Sequence, residues 1–214
     1  MTATHSPRVP PRFITFEGGE GGGKSTQLRL LVEALRKTGE TVVATREPGG
    51  APGAEEIRRL LVEGEPGRWS PEAEALLHFA ARAEHLDSVI RPALAAGQWV
   101  ICDRFADSTM AYQGFGQGVD RTWLKQLRMH VVGATEPGLT LILDLPATTG
   151  LGRSSAQQRY ERMGRGFHER LREGFRAIAA EEPDRCLVID AGRPIEAVAA
   201  EIRSAVQDRF DMAL

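Results

Sequence analysis

The segment Gly18-Gly-Glu-Gly-Gly-Gly-Lys24-Ser25-Thr26 carries the spacing Gly-x-x-x-x-Gly-Lys-Ser, and its flanks leave few folds open to the chain. It follows the apolar run Phe13-Ile-Thr-Phe16 and precedes residues 27–37, where Leu28, Leu31 and Leu35 share one helical face. The order is strand, loop, helix. Glycines let successive backbone N–H groups turn toward one anion, and the helix that follows adds the positive end of its dipole. In such a loop Gly18, Gly19, Glu20, Gly21, Gly22, Gly23 and Thr26 form a phosphate cradle, Lys24 reaches the β and γ phosphates, and Ser25 ligates Mg²⁺. Lysine is scarce, confined to Lys24, Lys37 and Lys125, so its presence here is informative.

Apolar runs of strand length recur at Phe13–Phe16, Thr41–Thr45, Val100–Asp103, Leu139–Leu145 and Cys186–Asp190. Helical periodicity fills the intervals: Ser25–Lys37, Ala54–Val62, Pro71–Ala96 with a kink expected at Pro92, Thr122–Val132, Ala147–Arg153, Gly166–Ala180 and Pro194–Asp208. The alternation predicts an α/β fold, a three-layer αβα sandwich around a five-stranded parallel sheet. Ligands in such sheets gather at the carboxyl ends of the strands, so residues 18–23, 46–53, 104–117 and 153–165, all expected to be non-helical, are where chemistry is sought. Within them Gly114-Phe-Gly-Gln-Gly118 reads as a plain loop, because no strand precedes its glycines.

With 27 Lys and Arg against 29 Asp and Glu, the chain has no positive field to hold a nucleic acid polymer. Cys102 and Cys186 each sit in a strand-like run and read as core thiols. Residues 1–11 read as a mobile tail with no signal peptide, residues 12–214 as one domain, and no apolar run approaches the roughly 18 residues of a membrane span. A reducing, cytoplasmic setting is the expectation. Asp103-Arg104 ends a buried run, from which the carboxylate can act on Mg²⁺ opposite Ser25 while the guanidinium grips a phosphate, giving two phosphate sites face to face.

These residues resemble the thymidylate kinase family, P-loop enzymes that phosphorylate dTMP to dTDP with MgATP. The matching segments are Phe16–Gln27, Thr45-Arg-Glu-Pro-Gly-Gly50, Ala54–Arg58, Asp103–Phe105 with Ser108-Thr-Met-Ala-Tyr-Gln-Gly114, Arg159-Tyr-Glu161 and Phe167–Arg172. They run in the family's order along nearly the whole chain beyond the tail. The resemblance implies that Lys24, Arg104, Arg153 and Glu20 form the catalytic group, and that ATP lies on residues 18–26 with Arg153. It implies a dTMP site of Glu20, Arg46, Pro48, His78, Arg82, Arg104, Thr109, Tyr112 and Gln113. In that site Glu20 faces the 3′-hydroxyl, Arg82 and Thr109 reach the thymine edge, Gln113 lines the pocket and Tyr112 packs where a ribose 2′-hydroxyl would project. Further implications are a cis peptide at Glu47–Pro48, a short mobile lid over about residues 152–165 whose Arg153 supplies charge to the transferring group with Arg159 sharing the role, and a homodimer.

Two positions depart from the family pattern. His78 stands where the family usually has phenylalanine, four residues before Arg82. Its ring offers less apolar area and titrates near neutral pH, so phenylalanine there is expected to hold the base more tightly and without pH dependence. Gln158 stands where an aspartate usually precedes Arg159. An acceptor other than dTMP and a non-catalytic nucleotide-binding scaffold remain open alternatives. A guanine-reading switch does not, since its Asn-Lys-x-Asp signature needs asparagine and the chain has none.

Overall fold

Five runs of apolar and β-branched residues pair in parallel: β1 (Phe13–Glu17), β2 (Val42–Arg46), β3 (Trp99–Asp103), β4 (Leu139–Asp144) and β5 (Cys186–Asp190). The sheet order is β2-β3-β1-β4-β5, in a computed structural model that describes residues 10–153 and 159–214. Residues 1–9 of the expected tail and residues 154–158 of the expected lid, Gln158 among them, lie outside the described residues.

Alternation along each strand sorts side chains onto two faces. Ile14 and Phe16 of β1, Trp99 and Ile101 of β3, and Leu139, Leu141 and Leu143 of β4 point to one side, against α1 (Lys24–Lys37) and α9 (Ile195–Phe210). Phe13, Val100 and Cys102 point to the other, against the segment that runs from α3 (Pro71–His85) through a π-helical turn (Leu86–Ile90) to α4 (Arg91–Ala95). Ile142 of β4 joins Phe167, Leu171 and Phe175 of α8 (Arg165–Glu181) on that same side. Helices therefore cover both faces, and the α/β sandwich expected from the sequence is the fold observed. The remaining α-helices among the described residues are α2 (Pro52–Val62), α5 (Ala106–Thr109), α6 (Arg121–Val131) and α7 (Ala147–Arg153).

Two expectations need correction. The helical stretch expected over 71–96 is continuous to Ala95 but widens into a π-helical turn at Leu86–Ile90, and Pro92, which has no N–H to give, sits just after that turn. Residues 106–116, expected to be loop, are helical: α5 continues into a π-helical segment, Met110–Gly116. Tertiary packing outweighs glycine's poor propensity there, because Met110, Ala111 and Tyr112 are buried in the cluster built on α8. Gly116 is required by the same contact, since a Cβ would lie 2.5 Å from Phe167 Cε2.

Candidate active site

Loops leaving β1, β2 and β3 meet at their carboxyl ends and enclose a cleft of about 390 Å³ lined by residues 20–26, 46–48 and 103–105 together with side chains from α2 and α3. The glycine loop has positive φ at Gly18 (127°), Gly21 (66°) and Gly23 (80°), which a side chain would strain, and α1 begins at Lys24. Lys24 Nζ donates to the carbonyls of Gly18 (3.3 Å) and Gly19 (2.7 Å). Burial and the Arg104 charge pull its ammonium down to about 8, and an anion in the loop would push it back up.

Ser25 Oγ donates to Asp103 Oδ2 at 2.7 Å, so the two residues expected to hold a metal are adjacent. Two hard oxygen donors at the rim of the glycine loop suit Mg²⁺, which keeps most of its waters and takes one or two protein ligands with phosphate oxygens. No cluster of three or more His, Cys, Asp or Glu capable of holding a metal occurs among the described residues.

Arg104 follows β3 with φ 70°, an uncommon conformation for a side-chain-bearing residue. Buried Glu17 holds the turn by accepting from Phe105 N (2.7 Å) and Ser108 Oγ (2.5 Å). Burial and nearby Asp107 raise the Glu17 carboxyl well above the usual range. Arg104 itself donates to Gly18 O (2.9 Å) and Glu20 Oε1 (3.0 Å), and its guanidinium lies 5.0 Å from the centre of the Tyr112 ring. Glu20 Oε1 also accepts from Tyr112 Oη at 2.6 Å. Burial opposes the Glu20 charge, but Arg104, Lys24 and Tyr112 outweigh it and hold the carboxyl at about 2.

A second wall of the cleft is built on α3. Arg82, 1% exposed, donates through Nε to Glu47 Oε2 (2.8 Å) and through Nη2 to Phe105 O (3.0 Å) and Thr109 Oγ1 (3.1 Å). Its Nη1 has no partner among the described residues. Glu47, which precedes a cis peptide to Pro48, is fixed in turn by His85 Nδ1 at 3.0 Å. Arg46 lies on the rim, paired with Glu55 at 2.9 Å. His78 lines the cleft one helical turn before Arg82, with Nε2 2.9 Å from Tyr160 Oη. Burial and the charges of Arg82, Arg159, Arg104 and Arg58 push the His78 imidazolium down to about 3. The titration near neutral pH expected of it is therefore corrected: the ring is neutral throughout that range.

Four other residues stand elsewhere than expected. Gln113 is fully buried behind the wall, donating to Glu74 Oε1 at 2.7 Å, and Thr109 is buried beneath Arg82. Arg153 is exposed at the end of α7, outside the cleft wall. Arg159, expected to share its charge with the transferring group, is 2% exposed, ion-paired with buried Glu74 and bonded to Leu61 O (3.0 Å). It fastens the chain after residue 158 to α2 and α3.

The cleft also contains residues to which the sequence assigned no role. Arg58 reaches in from α2 and donates to Pro48 O at 2.6 Å, while burial and Arg46 lower its pKa. Ser108, Phe105 and Tyr160 complete the wall. Arg58, Ser108 and Tyr160 lie inside segments that carried the resemblance, a signal of proximity that spacing alone does not turn into a role.

Comparison with known proteins agrees with this geometry. The family described as thymidylate kinase matches residues 16–202. Thymidylate kinase from Caulobacter vibrioides is 55% identical over 203 residues, covering 94% of this chain and 98% of its own. That from Dinoroseobacter shibae is 54% identical over 197 residues, covering 90% and 95%. The crystal structure of thymidylate kinase from Ehrlichia chaffeensis superposes with a TM-score of 0.75 at 38% identity, covering 91% of this chain and 98% of that one.

Proposed function

The chain belongs to the thymidylate kinase family, and on that premise we propose that it transfers the γ-phosphoryl group of MgATP to dTMP, giving ADP and dTDP for dTTP synthesis. The observation that carries this reading is the placement of two phosphate-binding groups in one cleft: the glycine loop with Lys24 and Ser25, and Arg104, bonded to that loop through Gly18 O.

A phosphate oxygen of dTMP attacks the γ-phosphorus in line. The new P–O bond forms as the bond to the β,γ-bridging oxygen breaks, and ADP leaves with the electron pair. The acceptor is already anionic, so no side-chain nucleophile is needed, and catalysis consists of positioning and charge. Lys24 trades the loop carbonyls for phosphate oxygens, and Arg104 holds the acceptor phosphate while Glu20 accepts from the sugar 3′-hydroxyl. The aromatic face of Tyr112 leaves no room for a 2′-hydroxyl, and Arg82 Nη1 supplies a donor to the base. Ser25 and Asp103 would hold Mg²⁺, which would supply charge neutralisation to the transferring phosphates. Arg153, exposed at the end of α7, brings further charge to the transferring group; the glycine loop has no arginine of its own.

The reading extends to one catalytic domain over residues 12–214, in the cytoplasm, assembled as a homodimer. Unpaired, buried Cys102 and Cys186 suit a reducing compartment, and among the described residues no helix is long and apolar enough to cross a membrane. Exposed Leu76 on α3 and Met129 on α6 give a dimer apolar surface to bury. ADP release is measured with MgATP against a panel of nucleoside monophosphates, with and without EDTA. Turnover should be fastest with dTMP and abolished by chelation. Faster turnover of another monophosphate would reassign the acceptor, and ATP binding without turnover of any would leave a scaffold.

A further inference from the structure

Resting on that reading, we propose that His78 is a specificity-determining residue that presents its Nδ1–H to a carbonyl oxygen of the acceptor base, in a tautomer fixed by Tyr160. The argument is a count of protons. Arg159 has only donors, and its Nη2 gives one proton to Glu74 Oε2 and the other to Tyr160 Oη at 3.1 Å. Tyr160 keeps its phenolic proton, since burial and neighbouring Glu74 raise its pKa well above the usual value. Having accepted from Arg159, the hydroxyl has one proton to give.

Two acceptors compete for that proton. Glu74 is close, but Oε1 already accepts from Gln113 Nε2 (2.7 Å) and Gln117 Nε2 (2.8 Å), and Oε2 from Arg159. Glu74 also interacts with the phenol, but it already holds three donors, whereas His78 Nε2, 2.9 Å from the phenol oxygen, takes a proton from no other group among the described residues. Nε2 is therefore the acceptor, and a neutral imidazole that accepts at Nε2 carries its proton on Nδ1. No hydrogen bond to Nδ1 occurs among the described residues, and His78 lines the cleft four residues before Arg82, on the same face of α3.

Arg82 Nη1 is likewise a buried donor without a partner there. The wall thus offers donors, and a 2,4-dicarbonyl pyrimidine answers donors with acceptors. A 4-amino pyrimidine answers one of them with a second donor, a mismatch that leaves buried polar groups unpaired. Phenylalanine at 78 would supply apolar area and no donor. His78→Phe is accordingly expected to weaken selection for the dicarbonyl base, the opposite of what apolar area alone suggests.

The tautomer is read directly by long-range ¹H–¹⁵N correlation on the ¹⁵N-histidine-labelled full chain at pH 7, with His78→Phe identifying the signal. The proposal expects the Nδ1–H pattern, shifting on addition of dTMP. An Nε2–H pattern would show that the phenol serves Glu74 instead, and an imidazolium would show that the ring is charged; either overturns it. The kinetic arm compares kcat/KM for dTMP with the 4-thio, 2-thio and 5-methyl-dCMP analogues. His78→Phe should reduce the preference for dTMP over at least one thio analogue, and over 5-methyl-dCMP, by roughly threefold to tenfold. Tyr160→Phe should move the same ratios in the same direction, and His78→Asn, which retains an amide donor near the Nδ1 position, should recover part of the loss. Unchanged ratios in His78→Phe would also overturn the proposal, while ADP release with dTMP in the wild type would leave the kinase reading standing.

Discussion

Replacing Glu20 by glutamine tests whether the charge cluster at the centre of the site is as tightly coupled as its geometry implies. The carboxylate is 19% exposed, takes Arg104 Nη2 at 3.0 Å and Tyr112 Oη at 2.6 Å, and its pKa falls from 4.5 to about 2. A gap of about 2.5 units at about 1.36 kcal/mol each is worth about 3 kcal/mol to the folded state. Because the folded pKa is the lower one, the unfolded chain binds more protons between pH 2 and pH 4.5. The contribution is therefore complete above about pH 4.5, falls to about 1.4 kcal/mol at pH 3 and has nearly vanished at pH 2. Glutamine keeps the shape and a carbonyl acceptor but does not ionise. Urea unfolding followed by circular dichroism should find wild type more stable than Glu20→Gln near neutrality, with the gap shrinking by about 2 kcal/mol between pH 6 and pH 3. A gap that stays constant over that range would mean that Arg104 and Lys24 do not depress the Glu20 pKa, and the reasoning would fail. The same variant should also lose preference for dTMP over its 3′-deoxy analogue.

Lys24→Met should lower kcat by about 100-fold or more, equivalent to about 3 kcal/mol, with an unchanged far-ultraviolet spectrum; activity within a few-fold of wild type contradicts its role. Arg104→Ala should raise the KM for dTMP and lower kcat together, by about 30-fold or more in kcat/KM, because the group both binds and aims the acceptor. A change confined to the ATP constant would refute the two-site layout. Arg153→Ala should lower kcat with little change in the dTMP KM, whereas Arg159→Ala should act on stability, costing about 3–5 kcal/mol in unfolding experiments by leaving Glu74 buried without its cation. Reduced turnover of Arg159→Ala at wild-type stability would return that residue to catalysis.

The glycine loop, the strand ends and the order of elements were legible in the sequence because each rests on a local rule: periodicity, the φ freedom of glycine, and strand-loop-helix succession. Gly18–Ser25 and Asp103-Arg104 needed no partner to be read as candidates for phosphate chemistry, and the sheet that brings them together follows from alternation along the chain. What the sequence did not contain was who faces whom. Residues 106–116 read as loop because glycine weakens a helix locally, and only burial of Tyr112 against α8 reverses that balance. Arg159 is indistinguishable in sequence from a catalytic arginine; its role is set by Glu74, 85 positions earlier, beside which a free guanidinium becomes a buried strut. His78 shows the same limit in its chemistry. An imidazole's charge and tautomer belong to its surroundings, and the surroundings of residue 78 are arginines and a tyrosine gathered from distant parts of the chain.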